Sequence, residues 1–288
     1  MSGRPVARRS RAPLPTRRTR SVRRASAGLS TTRAGAALVM LAAALAIYGV
    51  AVSSAFSYTR ITVDGDVLTD RAAVESAIGS ARRQNLFGLR TGPLEAMLAT
   101  LPTVGEATVQ VQLPDTLAVT LHERVPVLIW QVGALRYATG ADGALFALLP
   151  DAPPASVARL PIVDDQRASS AGLSVGQALD PVDVDAATRL ASLVPTDVGS
   201  AATTLAVLVT DENGFVVRAR PGGWSAVFGF YTPSLRTTDL IPGQVRLLRS
   251  LLAGREPSVD RVVLASETDG TYVPRATPSP SAKPKKAP

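Results

Sequence analysis

The chain has 288 residues, a formal net charge of +8, no cysteine and only 5% aromatic residues. Without cysteine there are no disulfides and no thiolate chemistry, and so few aromatics leave little with which to line a sugar-binding cleft. The charge is uneven: residues 1–33 hold ten arginines and no acid, Arg275 and three C-terminal lysines are also basic, and residues 34–274 carry 17 basic against 23 acidic side chains, a net of −6. A nucleic-acid-binding domain needs its basic face on the folded part, which is here mildly acidic, so no nucleic-acid partner is expected.

Taken in chain order, residues 1–34 are rich in Arg, Ser, Pro and Ala and read as a disordered basic tail. Its arginines would sit near anionic inner-leaflet lipids, at ~1 kcal/mol each. Residues 35–56, GAALVMLAAALAIYGVAVSSAF, contain no charge. As a helix rising ~1.5 Å per residue the stretch is about 33 Å long and crosses a ~30 Å bilayer core once. Arginine on its N-terminal flank keeps that end in the cytoplasm, which puts residues 57–288 outside. The alternative is a cleaved signal peptide with Ser53-Ser54-Ala55 as a weak cleavage site, but a signal h-region spans only ~7–15 residues.

A first folded part is expected over residues 57–126. Tyr58–Val63 is a β-rich run ending at the turn dipeptide Asp64-Gly65. A helix follows with Thr69 as N-cap and Val74, Ala77 and Ile78 on its apolar stripe, and Gly79 ends it. A second helix has Thr91 as cap, Pro93 in its first turn and Leu94, Met97, Leu98 and Leu101 on one face. Ala107–Leu113 alternates strictly, Pro114-Asp115 turns, and Leu117, Val119 and Leu121 alternate again: a hairpin with one buried and one wet face. The order is β-α-α-β-β.

The second part is expected over residues 127–273. Strands are read at Leu128–Gln131 and Leu135–Ala138, Asp142-Gly143 turns into Ala144–Phe146, and a helix runs from Asp180-Pro181 to about Leu193. A hairpin turns at Asn213-Gly214, a pair suited to a type I′ turn. Ser225–Phe230 is a strand, and Pro242–Leu252 a helix with Val245, Leu248 and Leu252 inward. The last strands lie near Arg261–Ala265 and Thr271–Val273. Residues 274–288 read as a disordered Pro/Lys-rich tail. The fold class is α+β: one transmembrane helix, a β-α-α-β-β domain and a mixed α+β domain.

Catalytic signals are sparse. The single histidine, His122, falls on the outward phase of a strand, and no zincin, nucleophile-elbow or P-loop pattern occurs. Asp64, Asp66 and Asp70 lack calcium-loop spacing. Asp164-Asp165 and the pair Asp183 and Asp185 read as a loop and a helix N-terminus, where acids favour the dipole. No catalytic residue, cofactor or metal is expected.

Five segments carry a resemblance. Ile61-Thr62-Val63-Asp64-Gly65, Asn85-Leu86-Phe87, Leu101-Pro102-Thr103-Val104-Gly105-Glu106-Ala107, Leu113-Pro114-Asp115-Thr116-Leu117 and Glu123-Arg124-Val125-Pro126 resemble, in order and spacing, the POTRA domain of the FtsQ/DivIB family of bacterial cell-division proteins. In the second part, Asp142-Gly143 with Ala144–Phe146, and Leu160-Pro161-Ile162-Val163, resemble that family's β domain more loosely. The resemblance implies a non-enzymatic scaffold at the division septum. It would bind FtsB- and FtsL-like bitopic proteins outside the membrane and, through them, the septal peptidoglycan synthase. By resemblance the partner strand adds to Thr268, Asp269, Gly270, Thr271, Tyr272 and Val273. Tyr272 is there either an anchor or a residue that closes the core. Arg246 and Arg249 on the preceding helix are candidates to hold partner acids. The competing readings are a POTRA-bearing secretion or envelope-assembly factor and a membrane-anchored envelope enzyme.

Overall fold

The computed structural model describes residues 31–276, so the tail readings for 1–30 and 277–288 lie outside the described residues. The described chain divides between Val52 and Ser53 into two units. The first is helix α1, Thr31–Val52, apolar throughout after its Thr31-Thr32-Arg33 start and with none of it buried in protein. It starts and stops four residues before the charge-free stretch. Ser53 ends it by turning its own hydroxyl to the Ala55 N–H, which begins a short 3-10 turn over Ser54–Phe56. A helix of this length and apolarity fits a single membrane span.

The second unit opens with strand β1, Arg60–Asp64, helices α2, Arg71–Ala77, and α3, Gly92–Leu98, and the hairpin β2, Val104–Gln112, with β3, Thr116–Glu123. The sheet order is β1-β3-β2, with β3 parallel to β1 and antiparallel to β2. Alternation in β2 and β3 points Ala107, Val109, Leu117, Val119 and Leu121 at one face, where they meet Val74 and Ile78 from α2 and Leu94 and Leu98 from α3. His122 faces solvent, as its strand phase requires.

The cap of α2 differs from expectation. Asp70, not Thr69, caps α2, its carboxylate accepting from Ala72 N at 3.0 Å. The Thr69 hydroxyl is taken by Thr103 Oγ1 at 2.8 Å, a partner 34 residues away that no local pattern reveals. Thr91 takes the N-cap position of α3, as expected, and makes no side-chain cap bond. The Glu123 carboxylate accepts the N–H groups of both Leu68 and Thr69, at 2.8 and 2.6 Å. Arg124 pairs with Asp142 at 3.2 Å, and Leu68 packs against the buried cluster that contains Ile129, Phe146 and Leu149. The Glu123-Arg124 step thus ties the small sheet to the larger one C-terminal to it.

That larger sheet is mixed and has nine strands. They are β4 Leu128–Val132, β5 Leu135–Thr139, β6 Leu145–Leu148, β7 Ile162–Asp165, β8 Thr204–Thr210, β9 Gly214–Arg220, β10 Ser225–Gly229, β11 Val259–Leu264 and β12 Gly270–Pro274. Helix α4, Pro181–Ala191, connects β7 to β8, and α5, Ile241–Leu252, connects β10 to β11. The order is β12-β11-β10-β9-β8-β7-β4-β5-β6. Both crossovers join parallel neighbours and step the same way along the sheet, so right-handed connections put both helices on one face. There Val184, Leu190, Ile241, Leu248 and Leu252 bury Trp130, Phe215, Trp224 and Phe228. Asp180 caps α4 with Pro181 at its first position, as expected.

The β8–β9 turn is not type I′. Thr210 pairs with Gly214, which leaves three residues in the loop, and Asn213 does not take a positive φ. Gly214 alone does, at +62°, and a Cβ there would lie 2.4 Å from the Gly229 backbone. In α5 the inward row is Ile241, Gln244, Leu248 and Leu252; Val245 is only partly buried and lines a groove against α4.

Candidate partner-binding edge

The candidate residues converge on the β12 end of the sheet, and the structure builds that end from the strand termini outward. Parallel strands β10 and β11 finish side by side, leaving the carbonyls of Phe228, Leu264 and Ala265 without strand partners in that direction. Arg236 serves all three: its Nη2 donates to Phe228 O at 2.6 Å and Leu264 O at 2.8 Å, and its Nη1 donates to Ala265 O. Gln244, wholly buried on α5, donates to Phe228 O and Leu264 O at 3.3 and 3.2 Å. Its own carbonyl accepts from the Tyr231 hydroxyl at 2.7 Å. Burial pushes the Tyr231 phenol well above its ordinary pKa, the Arg236 charge opposing only in part, so it stays a donor.

From this anchor the chain makes the 265–269 turn. Ala265 N donates to Asp269 O at 2.9 Å, and Ser266 Oγ accepts from Thr268 N and Asp269 N. The turn sets the register of β12: Leu264 faces Gly270, Val263 faces Thr271, Val262 faces Tyr272 and Arg261 faces Val273. Because Ala265 N reaches Asp269 O, Leu264 and Gly270 form a non-hydrogen-bonded pair, and the alternation fixes the rest. Thr271 and Val273 turn their N–H and C=O groups to β11. Gly270 and Tyr272 turn theirs to the open side.

Tyr272 lies opposite Val262, which is buried under the helices, so its ring is on the helix-bearing face. The ring is 40% exposed and belongs to no buried cluster, which excludes the core-closing reading. Arg255, just past α5, sits over it at 5.8 Å from the centroid, a stacking worth ~0.5–1 kcal/mol at an exposed site. Side chains of α5 lie close to Gly270: a Cβ there would meet Leu247 Cδ2 at 3.0 Å and Leu251 Cδ1 at 3.3 Å.

Arg246 and Arg249 are both exposed. Arg249 lies over Gly199 and lines the groove with Arg189, Asp197 and Val245, on the α4 side of α5. Leu247 and Leu251, about 200° away on the helix, face β12 instead. The structure therefore does not bring Arg249 together with Tyr272. Sequence reasoning missed Arg236, Tyr231 and Gln244; the spacing of Ile241, Gln244, Leu248 and Leu252 on one helix face was the available signal for Gln244.

The opposite edge of the sheet, β6, is covered at its start. Leu145 N donates to Gln177 O and Gly176 N to Leu145 O, both at 2.8 Å, and Leu179 N donates to Gly143 O. The paired carboxylates are structural as well. Asp165 is buried and held by Arg167, Asp183 pairs with the same arginine, and Asp185 pairs with Arg189. Among the described residues no three His, Cys, Asp or Glu side chains are placed to hold a metal.

A family model described as the FtsQ-type POTRA domain matches residues 56–124. The chain is 26% identical over 172 residues to a cell division protein FtsQ of Chloroflexus aurantiacus, covering 60% of this chain and 61% of that protein. It is 27% identical over 177 residues to FtsQ of Mycobacteroides abscessus, covering 59% and 56%, and 32% identical over 154 residues to FtsQ of Mycobacterium leprae, covering 51% and 43%. The chain thus spans less than two thirds of the length of each of these relatives.

Proposed function

We propose, from the place in the FtsQ/DivIB family that its FtsQ-type POTRA domain and its relatives support, that this chain is a bitopic scaffold of the bacterial division machinery. Its arginine-rich N-terminus lies in the cytoplasm against anionic lipids, α1 spans the membrane, and the second unit stands outside at the septum. There it holds FtsB- and FtsL-like proteins and links them to septal peptidoglycan synthesis by binding, not by catalysis.

The observation that carries this reading is the open side of β12. A partner segment adding as a further strand finds the N–H and C=O of Gly270 and Tyr272 directed outward. Thr268 and Asp269 form the turn that presents the strand, and Thr271 and Val273 fix it to β11. Tyr272 gives the added strand a large, stiff side chain at small entropic cost. Arg246 and Arg249 are then at most peripheral to the captured strand, Arg249 lying on the α4 side of α5.

Tyr272→Pro removes the outward donor, whereas Tyr272→Ser keeps the donor and removes the ring. In co-purification of the full chain with an FtsB-like partner, Tyr272→Pro should abolish capture and Tyr272→Ser should weaken it. Undiminished capture by the proline variant would exclude β12 as the site. A fluorescent fusion to the N-terminus should form a midcell band before constriction, and uniform envelope labelling would count against the septal role.

A further inference from the structure

Residues 76–94 contain no acid but three arginines, Arg82, Arg83 and Arg90, all exposed and in no ion pair with a described residue. The same segment exposes a large apolar side chain, Phe87, at 52%. Phe87 stacks edge-to-face on Phe56, with ring centroids 4.9 Å apart. Phe56 is four residues past Val52, the end of α1, and a chain of four residues reaches at most ~14 Å. The headgroup layer outside the hydrocarbon core is itself ~5–8 Å deep on each side. With α1 in the bilayer, Phe56 is therefore confined to the neighbourhood of the interface.

The arginine segment is confined with it. Asn85 Nδ2 donates to Ser53 O at 3.1 Å, and Asn85 bridges to Ser57. Tyr58 N donates to Gln84 O at 3.0 Å, and Arg83 N to Tyr58 O at 3.3 Å. Asn85 Oδ1 also accepts from Phe87 N at 2.9 Å, which forms the turn that displays the ring. Arg83 is the one non-glycine described residue with a positive φ, +66°. That conformation is costly for a side-chain-bearing residue and is kept only where the surroundings impose it.

Exposed phenylalanine rings at an interface bury at the headgroup–acyl boundary, and guanidinium groups favour lipid phosphate. We propose that Phe56, Phe87, Arg82, Arg83 and Arg90 form a membrane-resting face of the POTRA domain, seated on the phospholipid surface at the end of α1. The aromatic pair would lie at the headgroup–acyl boundary and the arginines on the lipid phosphates. This would hold the domain at a set height above the bilayer, independently of what β12 captures; it rests only on α1 being a span.

The absence of cysteine allows a unique label. Gly88 is exposed, and a Cβ there meets nothing within 4 Å, so Gly88→Cys accepts a fluorophore. Leu235→Cys, at a side chain 93% exposed, is the reference. The labelled full chain is reconstituted in phosphatidylglycerol/phosphatidylethanolamine vesicles, and flotation first establishes insertion of α1. The label at 88 should be quenched by nitroxide lipid and several-fold less by aqueous iodide than the label at 235. Adding Phe87→Ser, Arg82→Gln, Arg83→Gln and Arg90→Gln should restore iodide quenching while flotation is unchanged. Equal iodide quenching at 88 and 235 in the inserted protein would overturn the proposal, as would protection that survives the four substitutions.

Discussion

Replacing Asp165 by Asn tests whether the large sheet depends on a buried charge cluster or only on its apolar core. Asp165 is buried at the end of β7, and its carboxylate accepts five bonds. Oδ1 takes Arg167 N and Nε, both at 3.0 Å, and Oδ2 takes Trp130 Nε1 at 3.1 Å, Ser170 Oγ at 2.6 Å and Arg167 Nη2 at 2.8 Å. An amide in either orientation turns its NH2 toward at least two donors, so no flip rescues it. Arg167 keeps Asp183 at 2.6 Å, which places the cost near the lower end of the range for breaking a buried pair, about 3 kcal/mol. Both tryptophans, Trp130 and Trp224, are fully buried in this sheet's core and the small domain has none. Tryptophan emission during urea unfolding of the detergent-solubilised chain therefore reports this sheet alone. At m-values of ~1–3 kcal/mol/M the midpoint should fall by about 1–3 M. Burial raises the Asp165 pKa, but the bonds from Arg167 and Ser170 together outweigh it and hold the carboxyl below its ordinary value. The stabilisation is thus complete above the ordinary carboxylate pKa and is lost as pH falls through the depressed one. The gap between wild type and Asp165→Asn should be constant at neutral pH and close only below about pH 4. A midpoint shift under ~0.3 M, or a gap that closes between pH 6 and 8, would refute the reasoning.

Gly214→Ala should destabilise the same sheet by about 3 kcal/mol, combining a left-handed backbone with a clash against the rigid Gly229 main chain. Gly176→Ala, with a positive φ but nothing near its Cβ, should cost only about 1–2 kcal/mol in the same urea assay; equal costs would remove the clash from the argument. Arg236→Gln should lower stability by about 1–3 kcal/mol, because Ala265 O loses its donor while Phe228 O and Leu264 O keep Gln244. It should also speed amide exchange at Thr268 and Asp269, read by mass spectrometry, and unchanged exchange there would mean that Arg236 does not hold the turn.

The sequence carries the elements better than their long-range partners. The hairpin of β2 and β3 is legible because its alternation is strict, and α4 because Asp180-Pro181 is a local start signal. Thr69 misleads as a cap because its hydroxyl answers to Thr103, and Asn213-Gly214 misleads because the pairing of Thr210 with Gly214 sets a longer loop. Asp164-Asp165 looks like a loop pair. In β7 the alternation sends Asp164 outward and Asp165 into the core, and nothing near them announces Trp130 as a partner. The open edge has no local signature, since which strand ends a sheet is decided by every pairing before it.

The chemistry that a captured strand needs is set by the two faces of β12. Tyr272 shares the helix-bearing face with Val262, beside Leu247 and Leu251, while Thr271 lies opposite Val263 on the other face, where Val263 is still 36% exposed. A strand added alongside would therefore place alternate residues against Tyr272 and the Leu247–Leu251 flank of α5, an apolar requirement, with its remaining residues on the more open face. An acid–arginine clamp at Arg249 predicts something different, because that side chain projects into the α4 groove. Leu251→Asp and Arg249→Asp separate the two. Leu251 is partly buried at the margin of the core, so its aspartate variant needs the tryptophan-monitored urea control; with folding retained, it should reduce partner capture at least tenfold, since ~1.4 kcal/mol is enough for that and burying one leucine contributes about 1.5–3 kcal/mol. Arg249→Asp should leave capture within about twofold, as expected for a charge at the rim of an interface. The reverse pattern would move the recognition surface from the β12 flank of α5 to its α4 flank.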